Sequence, residues 1–213
     1  MRFTIILVLI LVVVIAFSFR AKEQNEPLTY NKELDETALT VDGRELTLRD
    51  IAFYIAYEEK TIQEQAIVYN PGNPGQYWNL HMDGQFVRLT AKNTVVDMAV
   101  HDEIFYEMAV ADKITLSAEE KKYLENDEND FWSDLTDLQK EKLGISQDDL
   151  NSAMEKIALA NKCQSIFAEM NMEAYESYNF DGDAYAKLLS EHEYSMNEEI
   201  WDRVVLGKVT LNN

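Results

Sequence analysis

Cysteine, glycine, proline and basic residues are all scarce in this chain. Cys163 is the only cysteine among 213 residues, which excludes an intramolecular disulfide and any multi-cysteine zinc site. Seven glycines and three prolines are too few for long structureless stretches or for repeat-rich β folds. Nineteen lysines and arginines face 39 aspartates and glutamates, a formal net charge of −20. Such a surface repels phosphate backbones, so no nucleic-acid partner is expected. It also repels anionic headgroups. The histidines are isolated. His101 lies four residues after Asp97 and is expected to pair with it along a helix. His101-Asp102-Glu103 lacks the ligand spacing of zincins, and His192 reads as solvated. Asp127-Glu128-Asn129-Asp130 and Asp181-Gly182-Asp183 do not match the EF-hand calcium loop. No G-x-S-x-G, P-loop or Rossmann fingerprint is present. The sequence therefore points to no enzyme, no metal and no cofactor.

What is present begins with an apolar run over residues 3–19, broken only by Thr4 and Ser18. Seventeen residues reach the short limit for a helix spanning a bilayer of ~30 Å. Residues 1–22 hold Arg2, Arg20 and Lys22 and no acid, leaving 16 basic against 39 acidic residues beyond them. The segment is an export signal or an anchor. Ala16-Phe17-Ser18 would serve as a small-x-small cleavage site, but the run extends up to that site and bulky Phe17 and Phe19 flank it. An uncleaved anchor is the expectation, with the acidic remainder outside the cytoplasm; secretion after cleavage is the alternative. Residues 23–37, polar and containing Pro27, read as a linker. Residues 38–213 form the folded domain.

That domain is expected to be mainly α, because its composition favours helix formers and its apolar residues recur at helical spacing. Leu39 and Val41, the Asp42-Gly43 pair and Leu46 predict a hairpin with a tight turn. Thr47 and Asp50 then form a capping pair. A first helix is predicted over 48–69, carrying Leu48, Ile51, Ile55, Ile62, Ala66 and Tyr69, with Phe53 and Tyr57 beside them. Pro71-Gly72-Asn73-Pro74-Gly75 stops it, and Tyr77, Trp78 and Met82 follow in a loop. A second helix over 85–111 is apolar over so much of its circumference that it should be central. Ser117 and Glu120 cap a third, short and charged helix that fades at 126–130. A fourth runs over 146–170, with Cys163 on its core stripe as a buried hydrophobe rather than a nucleophile. Residues 183–191 predict a short helix. Residues 208–211 alternate like a closing strand, expected to pair with the hairpin near Val41.

The segment Leu39-Thr-Val-Asp-Gly-Arg-Glu-Leu-Thr47 resembles the opening of the SurA/PrsA/trigger-factor peptide-binding superfamily. Those domains begin with a short strand, an Asn/Asp-Gly turn and a capped helix. Ala111-Asp-Lys-Ile-Thr-Leu-Ser-Ala-Glu-Glu120 resembles the exit of the family's long helix and the next cap. Lys142-Leu-Gly-Ile-Ser-Gln-Asp-Asp-Leu150 resembles the entry to its last long helix. The likeness spans residues 38–170 and, less firmly, a closing strand within 197–211. It implies a SurA N-terminal-like bundle of long helices, with a small β element joining the N-terminal hairpin to a C-terminal strand. Relatives often insert a parvulin prolyl isomerase before that strand. Residues 171–199 leave no room for one, since four strands at ~5 residues each would use most of them. The resemblance thus implies a holdase for unfolded or secreted polypeptides without isomerase activity.

Tyr54, Tyr57, Tyr69, Tyr77, Trp78, Phe131 and Trp132 exceed what one helical core stripe requires. Large amphipathic rings at a cleft bind apolar peptide segments at little rotamer cost. These seven are the candidate peptide-binding residues; the alternative is that they complete the core. Helix 48–69, its Pro/Gly loop and Trp78 are expected to line one side of the cleft. Two functions compete: a membrane-tethered chaperone with broad clients, or a structural or regulatory domain for one fixed envelope partner.

Overall fold

Asp42 and Gly43 both take positive φ, 47° and 82°, the geometry a two-residue hairpin turn demands. In the computed structural model, which describes residues 26–212, they join β1 (Thr37–Val41) to β2 (Arg44–Thr47). The fold is mainly helical with a small antiparallel sheet. Its helices are α1 (Ala52–Tyr69), α2 (Val87–Ala111), α3 (Ala118–Asp134), α4 (Asp137–Leu143), α5 (Gln147–Met170), α6 (Asp183–Leu189) and α7 (Glu198–Trp201). The apolar run 3–19 lies outside the described residues, and among those described no helix is long and apolar enough to cross a membrane.

The caps form where side-chain chemistry dictates. Thr47 and Asp50 exchange backbone hydrogen bonds at 2.8 and 3.3 Å, one turn before α1 becomes regular. Ser117/Glu120 and Ser146/Asp149 close complete capping boxes on α3 and α5. Thr136/Gln139 closes a third, on α4. α2 is central as expected: Ala91, Val95, Val96, Ala99, Val100, Ile104, Phe105 and Ala109 are all buried along it. It packs most extensively on α5 and also against α1, while α3 packs against α5. α3 does not fade at 126–130 but continues to Asp134, since Phe131 and Trp132 pack on the core from its last turn.

The closing strand is not residues 208–211. A short hairpin, β3 (His81–Met82) with β4 (Gln85–Phe86), precedes α2. β5 is Tyr194–Met196, and it pairs antiparallel with β1, Leu39 opposite Met196 and Val41 opposite Tyr194. The sheet order is β2-β1-β5. The later segment has its backbone groups satisfied by side chains instead. The carboxylate of Glu59, on α1, accepts from the amides of Gly207 (2.6 Å), Val209 (3.0 Å) and Thr210 (2.6 Å) and from the Thr210 hydroxyl (2.5 Å). Arg88 donates to the Leu206 carbonyl at 3.1 Å, and the Lys142 ammonium donates to the Leu211 carbonyl. These bonds hold the segment against the helices rather than in a ladder.

Residues 28–37 of the stretch expected as a linker also belong to the fold. Tyr30 and Leu34 are buried in the core, and the Tyr30 hydroxyl donates to the Leu48 carbonyl. The Leu28 amide donates to the Arg203 carbonyl at 2.9 Å, while the Arg203 guanidinium forks onto both oxygens of Glu33 at 3.0 and 3.1 Å.

Candidate functional site

An open cleft of about 480 Å³, lined by several aromatic rings, lies between α1, α2, α5 and the segment after α5. Four elements build it. α1 presents Phe53, Tyr54 and Tyr57; the offsets of one, three and four residues set these rings on one side of the helix. α2 contributes Met98, His101 and Asp102, and α5 contributes Ile157, Asn161 and Gln164, each set at helical spacing. The fourth wall is Tyr175, Asn179, Phe180 and Asp181, from the 3-10 turn Tyr175–Tyr178 and the bend after it.

A chain of buried and partly buried hydrogen bonds holds this wall to the helices. The Tyr54 hydroxyl donates to Asp102 Oδ2 at 3.0 Å. Asp102 Oδ1 lies 2.7 Å from His101 Nδ1. His101 Nε2 lies 2.9 Å from the Tyr178 carbonyl, which only accepts, so this nitrogen carries a proton and donates. Gln164, also buried, donates both amide protons: one to the Tyr175 carbonyl at 3.1 Å and one to Asn179 Oδ1 at 3.0 Å. Burial, with Asp102 and its hydrogen bond in support, holds the Tyr54 hydroxyl protonated well above the usual phenol range. Tyr175 is raised as well, mainly by burial and then by Asp102. These tyrosines are donors and ring surfaces, not bases. His101 thus pairs with its neighbour Asp102 and not with Asp97 one turn back. His192 is not simply solvated either: its Nδ1 sits 2.6 Å from Asp42. That contact, with the Glu193 amide, lowers the Asp42 carboxyl.

The seven candidate rings separate into several places. Tyr54 and Tyr57 line the cleft, Tyr54 buried in its floor and Tyr57 with 46% of its surface open. Phe131 stands beside it, its ring 5.0 Å from that of Phe53. Tyr69 and Tyr77 form a separate pair 5.5 Å apart, about 18 Å further along α1 from Tyr57 at 1.5 Å per residue. The half-buried Trp132 ring lies under the Lys140 ammonium at 4.8 Å. Trp78 is a correction: it is fully buried, 0% exposed, with its indole N–H on Gln63 at 3.2 Å. The Pro/Gly loop turns it inward against Gly207, so neither loop nor indole lines the cleft.

No family model, curated protein or solved structure matches this chain. The site therefore stands on its own geometry. Sequence reasoning missed Tyr175 and Phe180, which sit 39% and 37% exposed on the cleft wall. The signal was the aromatic repeat Tyr175, Tyr178, Phe180 directly after the long helix, in a stretch that looked like a mere remnant. Among the described residues no group of three or more His, Cys, Asp or Glu is placed to hold a metal. Cys163 is buried, and burial first, then Asp112, pushes its thiol up to about 11, which makes it a poor nucleophile at neutral pH.

Proposed function

We propose that the folded part of this chain is a peptide-binding chaperone domain. It holds unfolded or secreted polypeptides and is tethered at the outer face of a membrane by the apolar segment at residues 3–19. The single observation supporting this reading is the cleft: three partly open rings, Tyr57, Tyr175 and Phe180, face a volume of about 480 Å³. That is a size suited to a few side chains. Burying apolar client surface stabilises by ~25 cal/mol per Å², and ordering a flexible client offsets much of it. Binding is then weak and tolerant of sequence. No isomerase activity belongs to this reading, because residues 171–199 are taken up by the 3-10 turn, α6 and β5.

The test is suppression of client aggregation by the full-length protein in neutral lipid nanodiscs, with a chemically unfolded client diluted into buffer. The wild type should slow light scattering in proportion to its concentration. The pair Tyr57→Ala and Phe180→Ala should remove most of that protection with the helical circular dichroism unchanged. A wild type that protects no client, yet retains one stoichiometric partner from envelope extracts, sinks the chaperone reading in favour of a dedicated partner domain.

A further inference from the structure

We infer that the cleft takes the cationic side chain of a lysine or arginine from an extended polypeptide, with an apolar neighbour of that residue against the rings. This rests on the cleft being the polypeptide site, and it names what that site selects.

Four observations converge. First, the cleft lining includes no lysine or arginine, and the chain as a whole is acidic by 20 charges. Second, Asp181 stands on the rim, exposed, with no hydrogen bond or ion pair to any described residue. Asp102, by contrast, is occupied by Tyr54 and His101. Asp181 is the carboxylate left over for a ligand. Third, the same cleft is lined by the rings of Phe53, Tyr57, Tyr175 and Phe180, and Phe53 and Tyr57 stack at 5.9 Å. Aromatic faces attract a cation as well as an alkyl chain, so the stem and the charged head of Lys or Arg are both satisfied. Fourth, the amides are polarised for a main chain. Gln164 has committed both N–H groups inward. Asn161 and Asn179 accept protein donors at their Oδ1 atoms, Asn161 from Tyr175 at 3.4 Å and Asn179 from Gln164. Their N–H groups are what remains to meet ligand carbonyls.

The experiment uses full-length protein in phosphatidylcholine nanodiscs and three labelled pentapeptides, differing only at a central residue between leucine and phenylalanine. That residue is arginine, its neutral isostere citrulline, or glutamate. Fluorescence anisotropy at low salt should rank arginine above citrulline by roughly ten-fold, with glutamate weakest. Asp181→Asn should abolish the arginine preference, bringing the arginine and citrulline peptides to equal affinity. Glu119→Gln, which removes an equal charge elsewhere on the exposed surface, should leave the preference intact. Tyr57→Ala should weaken all peptides. Equal binding of the arginine and citrulline peptides overturns the inference and spares the chaperone reading. An arginine preference lost equally in Asp181→Asn and Glu119→Gln overturns it too, assigning the effect to overall charge. If no peptide binds, the chaperone reading and the inference fall together.

Discussion

Glu59→Gln should release the C-terminal segment. The carboxylate is fully buried on α1 and meets only donors: three amides and one hydroxyl at 2.5–3.0 Å. Glutamine keeps the shape but turns one oxygen into an N–H₂ group. In one rotamer this faces the Thr210 amide; in the other it faces those of Gly207 and Val209. Either way at least one buried N–H loses its acceptor, at about 1–3 kcal/mol. The remaining bonds lose their charge assistance, about 1 kcal/mol each. Burial raises the Glu59 carboxyl against the pull of its hydrogen bonds, so a neutral side chain recovers part of the desolvation cost. A net loss of about 2–4 kcal/mol remains. Urea unfolding of the full-length protein measures it. Trp78 packs against Gly207, so its fluorescence reports release of the segment, and tryptic cleavage at Lys208 gives a local readout. Glu59→Gln matching the wild type within about 0.5 kcal/mol, with Lys208 equally protected, would refute the clamp.

Three further outcomes follow from buried groups. Burial pushes the Glu58 carboxyl up to about 7 from 4.5. Between those values the folded chain holds a proton that the unfolded chain has lost, so stability falls as pH rises through about 7, by up to ~3 kcal/mol at 1.4 per unit. Glu58→Gln should therefore be more stable than wild type at pH 8 and close to it at about pH 4, below the unfolded value; a gap independent of pH between the two urea midpoints defeats this. Cys163, with its raised thiol, should react with an aromatic disulfide reagent at pH 7.5 only as fast as the protein unfolds, and rapid labelling under native conditions contradicts its burial. Gly207 has φ +88°, and a Cβ there would stand 2.8 Å from Trp78 Cδ2. Gly207→Ala should cost about 2–3 kcal/mol, read by thermal unfolding, and an unchanged midpoint would mean that the loop has room to move.

What the sequence disclosed was local. The hairpin turn, the Thr47, Ser117 and Ser146 caps and the central, all-round apolar helix each depend on residues within four positions of one another, and each forms near its expected place. Long-range satisfaction of polar groups was not legible. Glu58 and Glu59 are both buried, and Glu59 is held by a C-terminal loop about 150 residues away. The alternation at 208–211 is real, but Val209 and Thr210 are buried against that carboxylate rather than in a sheet. Tyr194-Ser195-Met196 alternates over three residues only, too short a run between acidic and polar neighbours to read as a strand, and all three residues are exposed on an edge strand. The same limit divided the candidate rings. Tyr57 and Trp78 look equivalent in sequence, and only the inward turn of the Pro74–Asn79 segment separates a cleft residue from a core residue.

The cleft differs from an unfilled core defect in how its walls are held. A defect would be bounded by apolar side chains free to relax inward, which reduces its volume. Here the Tyr175–Asp181 wall is fixed by directional bonds, from His101 to the Tyr178 carbonyl and from Gln164 to Tyr175 and Asn179. Collapse of the wall onto α1 would break these bonds in a buried setting, where each orphaned polar group costs more than the added apolar burial contributes. Tyr54 is tied into the same chain through Asp102. The floor is therefore rigid while Tyr57, Tyr175 and Phe180 stay open at the mouth. A ligand entering such a site orders few protein groups, so its affinity depends on its own flexibility and on the Asp181 carboxylate at the rim.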